Sequence, residues 1–193
     1  MKVLFNPSVQ PIQVVRTGLS VSSVPVNLPP GTVSRIPIDE SRPDASSIIA
    51  TLQMLVEQFG REPWIRAVAE SLITTRVNNA ILVHVNTLAD WVQTHVTYLM
   101  DPDGAEYVQS PVVLIQRIMS TGTAYGDCDD HVLLLGSLLY SLGIKVKVAG
   151  VKLPGALIYN HVMLMCPVDG SWVDVDPCAK DGPPPHYGDR LIA

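Results

Sequence analysis

The chain is short of basic residues, of cysteine and of aromatics, and the first two shortages close off classes of function. Its 193 residues carry 13 Lys and Arg against 18 Asp and Glu, a net charge of −5, and 6% aromatics. Lys and Arg cluster nowhere, and a protein that neutralises a phosphate backbone needs such a surface, so nucleic-acid binding is not expected. The three cysteines, Cys128, Cys166 and Cys178, form no CxxC pair and leave one thiol over in any pairing. That pattern speaks against a disulfide framework or a zinc finger and for a reducing compartment. No apolar run approaches the roughly 18 residues that would span a membrane. The opening MKVLFNPSVQPIQ has one lysine and breaks at Asn6-Pro7, which is not the pattern of a signal peptide. The expectation is a cytoplasmic protein with no membrane partner.

What is present reads as a folded domain with an extension at each end. Hydrophobic residues make up 47% of the chain and charged residues 16%, a balance that builds a core. Residues 1–43 hold seven of the 16 prolines, with β-branched pieces such as IQVVRTGLSVSSVPVNL between them. They read as an extended arm that docks on a partner or on the domain itself. From Asp44 the pattern turns helical: DASSIIATLQMLVEQFG up to Gly60, then EPWIRAVAESLITT with Pro63 in the first turn. In NAILVHVNTLADWVQTHVTYL, residues Ile81, Val85, Leu88, Val92 and Val96 form one apolar stripe, so a single helix is expected to run to Tyr98. DPDG at 101–104 predicts a turn, and SPVVLIQRIMSTG a short helix closing at Gly122.

The stretch AYGDCDDHVLLLGSLLYSLGIKVKVAG, residues 124–150, then sets one cysteine among three carboxylates at the head of an apolar run. Asp127 suits an N-cap, and Asp130 stands in a capping-box position. Cys128, Val132, Leu135, Leu139 and Leu142 lie on one helical face, and Gly143 ends the helix. IKVKVAGV, ALIYNHVMLMC and SWVDVDP predict three strands, the last two joined at PVDG. A helical front half feeding an antiparallel sheet is an α+β layout, with the domain over 44–180. The tail, 181–193, is Pro-rich and reads as irregular and exposed, a peripheral contact segment at most.

A thiol at a helix N-terminus meets a positive dipole end and unpaired N–H groups, and a nearby imidazole can take its proton. Position 128 offers the thiol. Asp127, Asp129 and Asp130 oppose a thiolate, though helical geometry turns 129 and 130 away from 128. His161 offers the imidazole, on a strand face shared with Met163 and Met165. Asp176 offers a carboxylate to orient it. A four-residue hairpin loop would set Asp176 directly opposite His161, and a two-residue Asp169-Gly170 loop would set it diagonal, with Cys178 then approaching His161. A three-residue loop would put Asp176 on the wrong face. Asp174 lies one pleat further away. Cys, His and Asp in this order suit nucleophilic catalysis.

Together GDCDDHVLLLGSLLYSLGIKVKVAGV, NHVML and GSWVDVDP resemble the transglutaminase-like superfamily of papain-related folds. The shared pattern is Gly-x-Cys at a helix start, a Gly-Ile turn into a strand, a His-bearing strand and Trp-x-x-x-Asp-Pro. LADWVQTHVTYLMDPDG resembles the helix before the cysteine. The resemblance covers roughly residues 88–178 and implies Cys128 as nucleophile, His161 as general base and Asp176 as orienting carboxylate. It implies a thioester acyl-enzyme on a peptide or protein substrate, a cell-wall peptide among the candidates, resolved by water or by an amine. No cofactor or metal is required. The resemblance also implies a second oxyanion donor, for which Tyr98 and Gln109 are candidates, Tyr98 reading as core. A further likeness to proteins of tailed bacteriophages implies a second expectation: a virion-associated tail or head component that docks on virion structural proteins through its arm.

The remaining polar and aromatic residues have plainer readings. His131, beside Asp127 and Asp130, reads as a solvated helix-start residue rather than a metal ligand, because the ligands crowd one turn. Trp64, Trp91 and Trp172 read as packing, and Cys166 and Cys178 as structural thiols.

Overall fold

The computed structural model describes residues 29, 35–37, 45–73, 81–101, 107–178, 187 and 189–193. Most of the arm predicted over 1–43, the turn over 102–104 and the Pro-rich stretch of the tail lie outside them. In chain order the elements are β1 (Arg35–Pro37), α1 (Ala45–Gly60), α2 (Pro63–Leu72), α3 (Ile81–His95) and β2 (Val96–Tyr98). There follow β3 (Tyr107–Gln109), α4 (Pro111–Thr121), β4 (Ala124–Gly126) and α5 (Cys128–Ser141). The chain closes with β5 (Lys147–Val151), β6 (His161–Val168), β7 (Ser171–Val175) and β8 (Arg190–Ile192). Helices and an antiparallel sheet of order β7-β6-β5-β8 make this an α+β domain.

Helix α5 sits at the centre because its sequence leaves no face for water. Residues 129–139 are all buried, and a helix apolar on all sides must be surrounded. The first four helices and strand β6 pack around it. Val132, Leu135 and Leu139 share one core with Leu52 and Val56 of α1, Leu88 and Trp91 of α3, and Val162 and Leu164 of β6. Helix α1 approaches closely where Gly136 faces Val56: a Cβ at 136 would lie 2.8 Å from a Val56 methyl.

The hairpin joining β6 and β7 turns on two residues. Asp169 and Gly170 both have positive φ, 48° and 81°, the backbone of a tight two-residue turn whose twist matches the strands. Leu164 accordingly pairs with Val175 and Cys166 with Val173. Of the registers compatible with the sequence, this is the one that sets Asp176 diagonal to His161.

Four local expectations are corrected. Helix α3 stops at His95, and Val96–Tyr98 leaves it to pair in parallel with β4, Tyr98 opposite Gly126. Backbone pairing with a distant strand overrides the helical period there, and Tyr98 is 42% exposed rather than core. The strand expected from Ala156 begins only at His161, and Leu157 and Ile158 stand exposed in the loop before it. The tail is not all irregular: β8 adds to β5 with Leu191 opposite Gly150, and Tyr187 is buried. A three-residue strand has no period to read, since its partner's backbone supplies the stabilisation. Finally, His131 is fully buried, its ring nitrogens facing the carbonyl oxygens of Asp127 and Val96 at 2.6 and 3.1 Å. Strand β1 pairs antiparallel with β3, and the Gln116 amide donates to the Pro29 carbonyl.

A buried carboxyl fastens β3 to the head of α5. Asp130 accepts the Gln109 backbone N–H at 2.6 Å and its side-chain amide at 2.7 Å. It therefore does not close a capping box. Burial raises the Asp130 carboxyl to about 7, against the two Gln109 hydrogen bonds that pull it down.

Two predictions follow from this packing. Gly136→Val drives a branched side chain into Val56 and should lower stability by about 1–3 kcal/mol in urea denaturation. Asp130 binds its proton more tightly folded (about 7) than unfolded (about 3.9), so its contribution to stability falls as pH rises through that window. Denaturation of Asp130→Asn from pH 4 to 7 should show a flatter pH dependence than wild type, the difference being at most about 1.4 kcal/mol per pH unit.

Candidate active site

The head of α5 is built by Asp127. Its backbone is extended, and its Oδ1 accepts the N–H groups of Asp129 and Asp130 at 3.1 and 3.5 Å, the N-cap the sequence predicts. Its carbonyl accepts the His131 N–H. The cap thus takes two first-turn donors and leaves the Cys128 N–H outside it. Cys128 is half-buried at the first helical position. Its thiol donates to Asp129 Oδ1 at 3.6 Å and accepts the Val162 backbone N–H. Asp129 therefore does not turn away from Cys128 as helical geometry suggested, whereas Asp130 does, toward Gln109. Burial first, then the Asp129 and Asp127 charges, push the thiol well above its ordinary value, and the Val162 N–H opposes them.

Val162 follows His161, the first residue of β6, so the strand that meets the thiol through its backbone carries the imidazole next to it. His161 is buried at 8% exposure, and its Nε2–H donates to Asp176 Oδ2 at 2.9 Å. That bond leaves Nδ1 as the nitrogen available for a proton from elsewhere. Asp176 stands just past β7. Its Oδ1 accepts the Cys178 backbone N–H at 2.9 Å, and its Oδ2 accepts the Tyr187 hydroxyl at 2.5 Å as well as the imidazole. Burial pushes the carboxyl up, but the His161 hydrogen bond and charge, with Tyr187 and Cys178, outweigh it and hold it below its ordinary value. Asp174 goes elsewhere, to Arg190 at 2.5 Å.

The structure thus hydrogen-bonds His161 to Asp176 and sets Cys128 against the residue beside His161. The two oxyanion-donor candidates separate. The Gln109 amide is spent on Asp130 and the Tyr125 carbonyl, and its oxygen accepts from Arg117. The Tyr98 hydroxyl is raised above its ordinary value by burial first, and then by the charges of Cys128, Cys178, Asp127 and Asp129. Its ring lies 6.1 Å from that of His131.

In each of two trios, His161–Asp176–Cys178 and Asp127–Cys128–Asp129, the donor atoms lie within 4.8 Å of one another. In the first, His161 and Asp176 are bonded to each other and Asp176 also takes the Cys178 N–H; in the second, Asp127 caps the helix. Hydrogen bonds account for both arrangements, and neither trio is assigned to a metal. Cys166 is buried, its thiol pushed up to about 12 by burial alone, a packing residue. Cys178 stands nearer the chemistry than a structural thiol, as the two-residue hairpin register implies. Tyr187 had no signal in the sequence: a single tyrosine in a Pro-rich tail belongs to no periodic pattern.

A sequence model described as the transglutaminase-like superfamily matches residues 66–177, more than half of the chain. No curated protein matches. Among solved structures, a "putative protease" from Parabacteroides distasonis aligns with TM-score 0.46 and 20% identity over 69% of this chain and 26% of that one. The periplasmic domain of TgpA from Pseudomonas aeruginosa, bound to ethylmercury, aligns with TM-score 0.44 and 20% identity over 69% and 50%. This chain therefore spans about a quarter and a half of those two. Among the described residues, no helix is long and apolar enough to cross a membrane. From its central buried helix to its His-bearing sheet, the chain belongs to the transglutaminase-like superfamily.

Proposed function

We propose that the protein is a cysteine-dependent acyl-transfer enzyme acting on a carboxamide or peptide bond, with Cys128 as nucleophile, His161 as general base and Asp176 as the carboxylate that orients it. The observation that carries this reading is the 2.9 Å His161–Asp176 hydrogen bond, with Cys128 Sγ on the adjoining Val162 N–H. A thiol raised by burial and by two aspartates rests protonated. On substrate binding, His161 Nδ1 takes the proton as Sγ attacks the carbonyl carbon, and Asp176 stabilises the imidazolium. The oxyanion is met by the Cys128 N–H, which the Asp127 cap leaves unclaimed, and by the Tyr98 hydroxyl. The tetrahedral intermediate collapses to a thioester as the imidazolium protonates the leaving amine. Water, activated by the same imidazole, releases the acid and regenerates the thiol. Hydrolysis is preferred to transamidation because water needs no site of its own.

Substrate is sought with two probes, a peptide library and a glutamine-containing peptide, each with and without hydroxylamine to trap the thioester as a hydroxamate. Wild type should cleave or deamidate one probe and form hydroxamate. Cys128→Ala and His161→Ala should each lose about 10³-fold or more in kcat with the fold retained by circular dichroism, His161→Ala at some cost in stability because it removes a partner of the buried Asp176. An unchanged rate in either variant removes the mechanism. Product formed only when an amine is present would move the assignment to transamidation.

A further inference from the structure

We infer that Tyr187 is a positioning residue for the Asp176–His161 pair, held in place by strand β8; the inference rests on the proposed catalytic role of that pair. Three donors converge on one carboxylate: the His161 imidazole and the Tyr187 hydroxyl on Oδ2, and the Cys178 N–H on Oδ1. The backbone bond fixes one oxygen and the phenol fixes the other. Together they set the plane in which Oδ2 meets the ring, so the imidazole does not have to hold the carboxylate in place alone. The tyrosine is itself immobile: 6% exposed, packed with Ala149, Val151, Met163 and Met165, and with its ring 6.0 Å from that of His161.

Strand β8 accounts for this placement. Three residues after Tyr187, Arg190 pairs with Val151 of β5, and its guanidinium donates to Asp174, two residues before Asp176. Val151 is also the register partner of His161 across β5 and β6. The C-terminal strand and the imidazole thus share one neighbour, and the tyrosine is delivered to the end of the sheet where the imidazole stands. The Tyr187 hydroxyl donates to Asp176, and its effect on the imidazole passes through that carboxylate.

The phenol also sets how much charge the carboxylate presents. By donating to Oδ2, it draws off negative charge that would otherwise stabilise the imidazolium. Its loss should make His161 more basic and move the acid limb of kcat/KM to higher pH. The other titratable and charged groups around the site are Cys128, Asp127 and Asp129 at the head of α5, Tyr98 on β2, Cys178 past β7 and the Asp174–Arg190 pair; of these, Cys178 and Asp174 interact with the Tyr187 phenol itself.

The test uses the full chain and two readouts. His161 is titrated by nitrogen-15 NMR of its ring, which needs no turnover, and kcat and KM are followed against pH on whichever probe wild type turns over. In Tyr187→Phe, the His161 midpoint should rise by about half a pH unit or more. On a turned-over probe, kcat should fall about tenfold with KM unchanged. Difluorotyrosine at 187, a stronger donor of the same shape, should move the midpoint down, which loss of packing would not do. Tyr159→Phe, on the loop before β6, should leave it in place. A His161 midpoint unmoved by both changes at 187, or moved the same way by both, overturns the inference. If wild type and Cys128→Ala are equally inactive on every probe, the proposed function fails, while the titration still decides whether Tyr187 acts on the pair.

Discussion

The structure hangs on the burial of α5. A helix with no solvent face must satisfy the polar groups of its first turn inside the protein. Residues 127–131 must satisfy a run of carboxylates and an imidazole at the edge of the core, and each finds a partner of its own: Asp127 the helix N–H groups, Asp130 Gln109, and His131 two carbonyl oxygens. Those commitments fix β2 and β3 on either side of the helix head. The remaining two, Cys128 and Asp129, meet each other through the thiol and Oδ1, and the thiol is thereby held with strand β6 across from it. In the proposed mechanism the nucleophile is placed by the same constraint that makes the core.

The sheet supplies the partner groups by register rather than by proximity in sequence. One two-residue turn at Asp169-Gly170 decides that Asp176 meets His161. A turn longer by one residue would send every following side chain to the other face. The Asp-Gly pair suits positive φ at both positions, so the geometry of the site is encoded in a turn eight residues from the imidazole.

Where the sequence was readable, the signal was periodic or chemical. The buried stripe after Cys128, the Asp127 cap and the Gly-Ile exit from α5 each follow from a local preference, and the structure keeps all three; the hairpin loop, open between two and four residues in the sequence, is the two-residue Asp-Gly turn. Tyr98 was misplaced because Val96 continues the helical stripe, and only the distant β4 backbone converts 96–98 into a strand. Asp130 fits a capping box on spacing alone, but Gln109 competes for it from another element. The tail was opaque for a stronger reason. Three residues of strand and one tyrosine, preceded by prolines, carry no pattern, yet they close the sheet and reach Asp176. Long-range pairing of short segments is the information a single sequence hides.

The charges of the site are arranged to keep two groups in opposite states. Three donors hold Asp176 ionised despite burial, whereas burial with Asp127 and Asp129 holds Cys128 protonated. The helix N-terminus does not pull toward a resting thiolate, because the Asp127 cap takes the N–H groups of 129 and 130. In the proposed mechanism this has a chemical consequence. A thiolate formed only as His161 accepts the proton is more basic, and so intrinsically more nucleophilic, than one stabilised in advance. The positive end of the helix, reduced to the Cys128 N–H, then serves the oxyanion rather than the sulfur. Stabilisation is withheld from the resting enzyme and reserved for the charge that appears during reaction, which is where it accelerates the step.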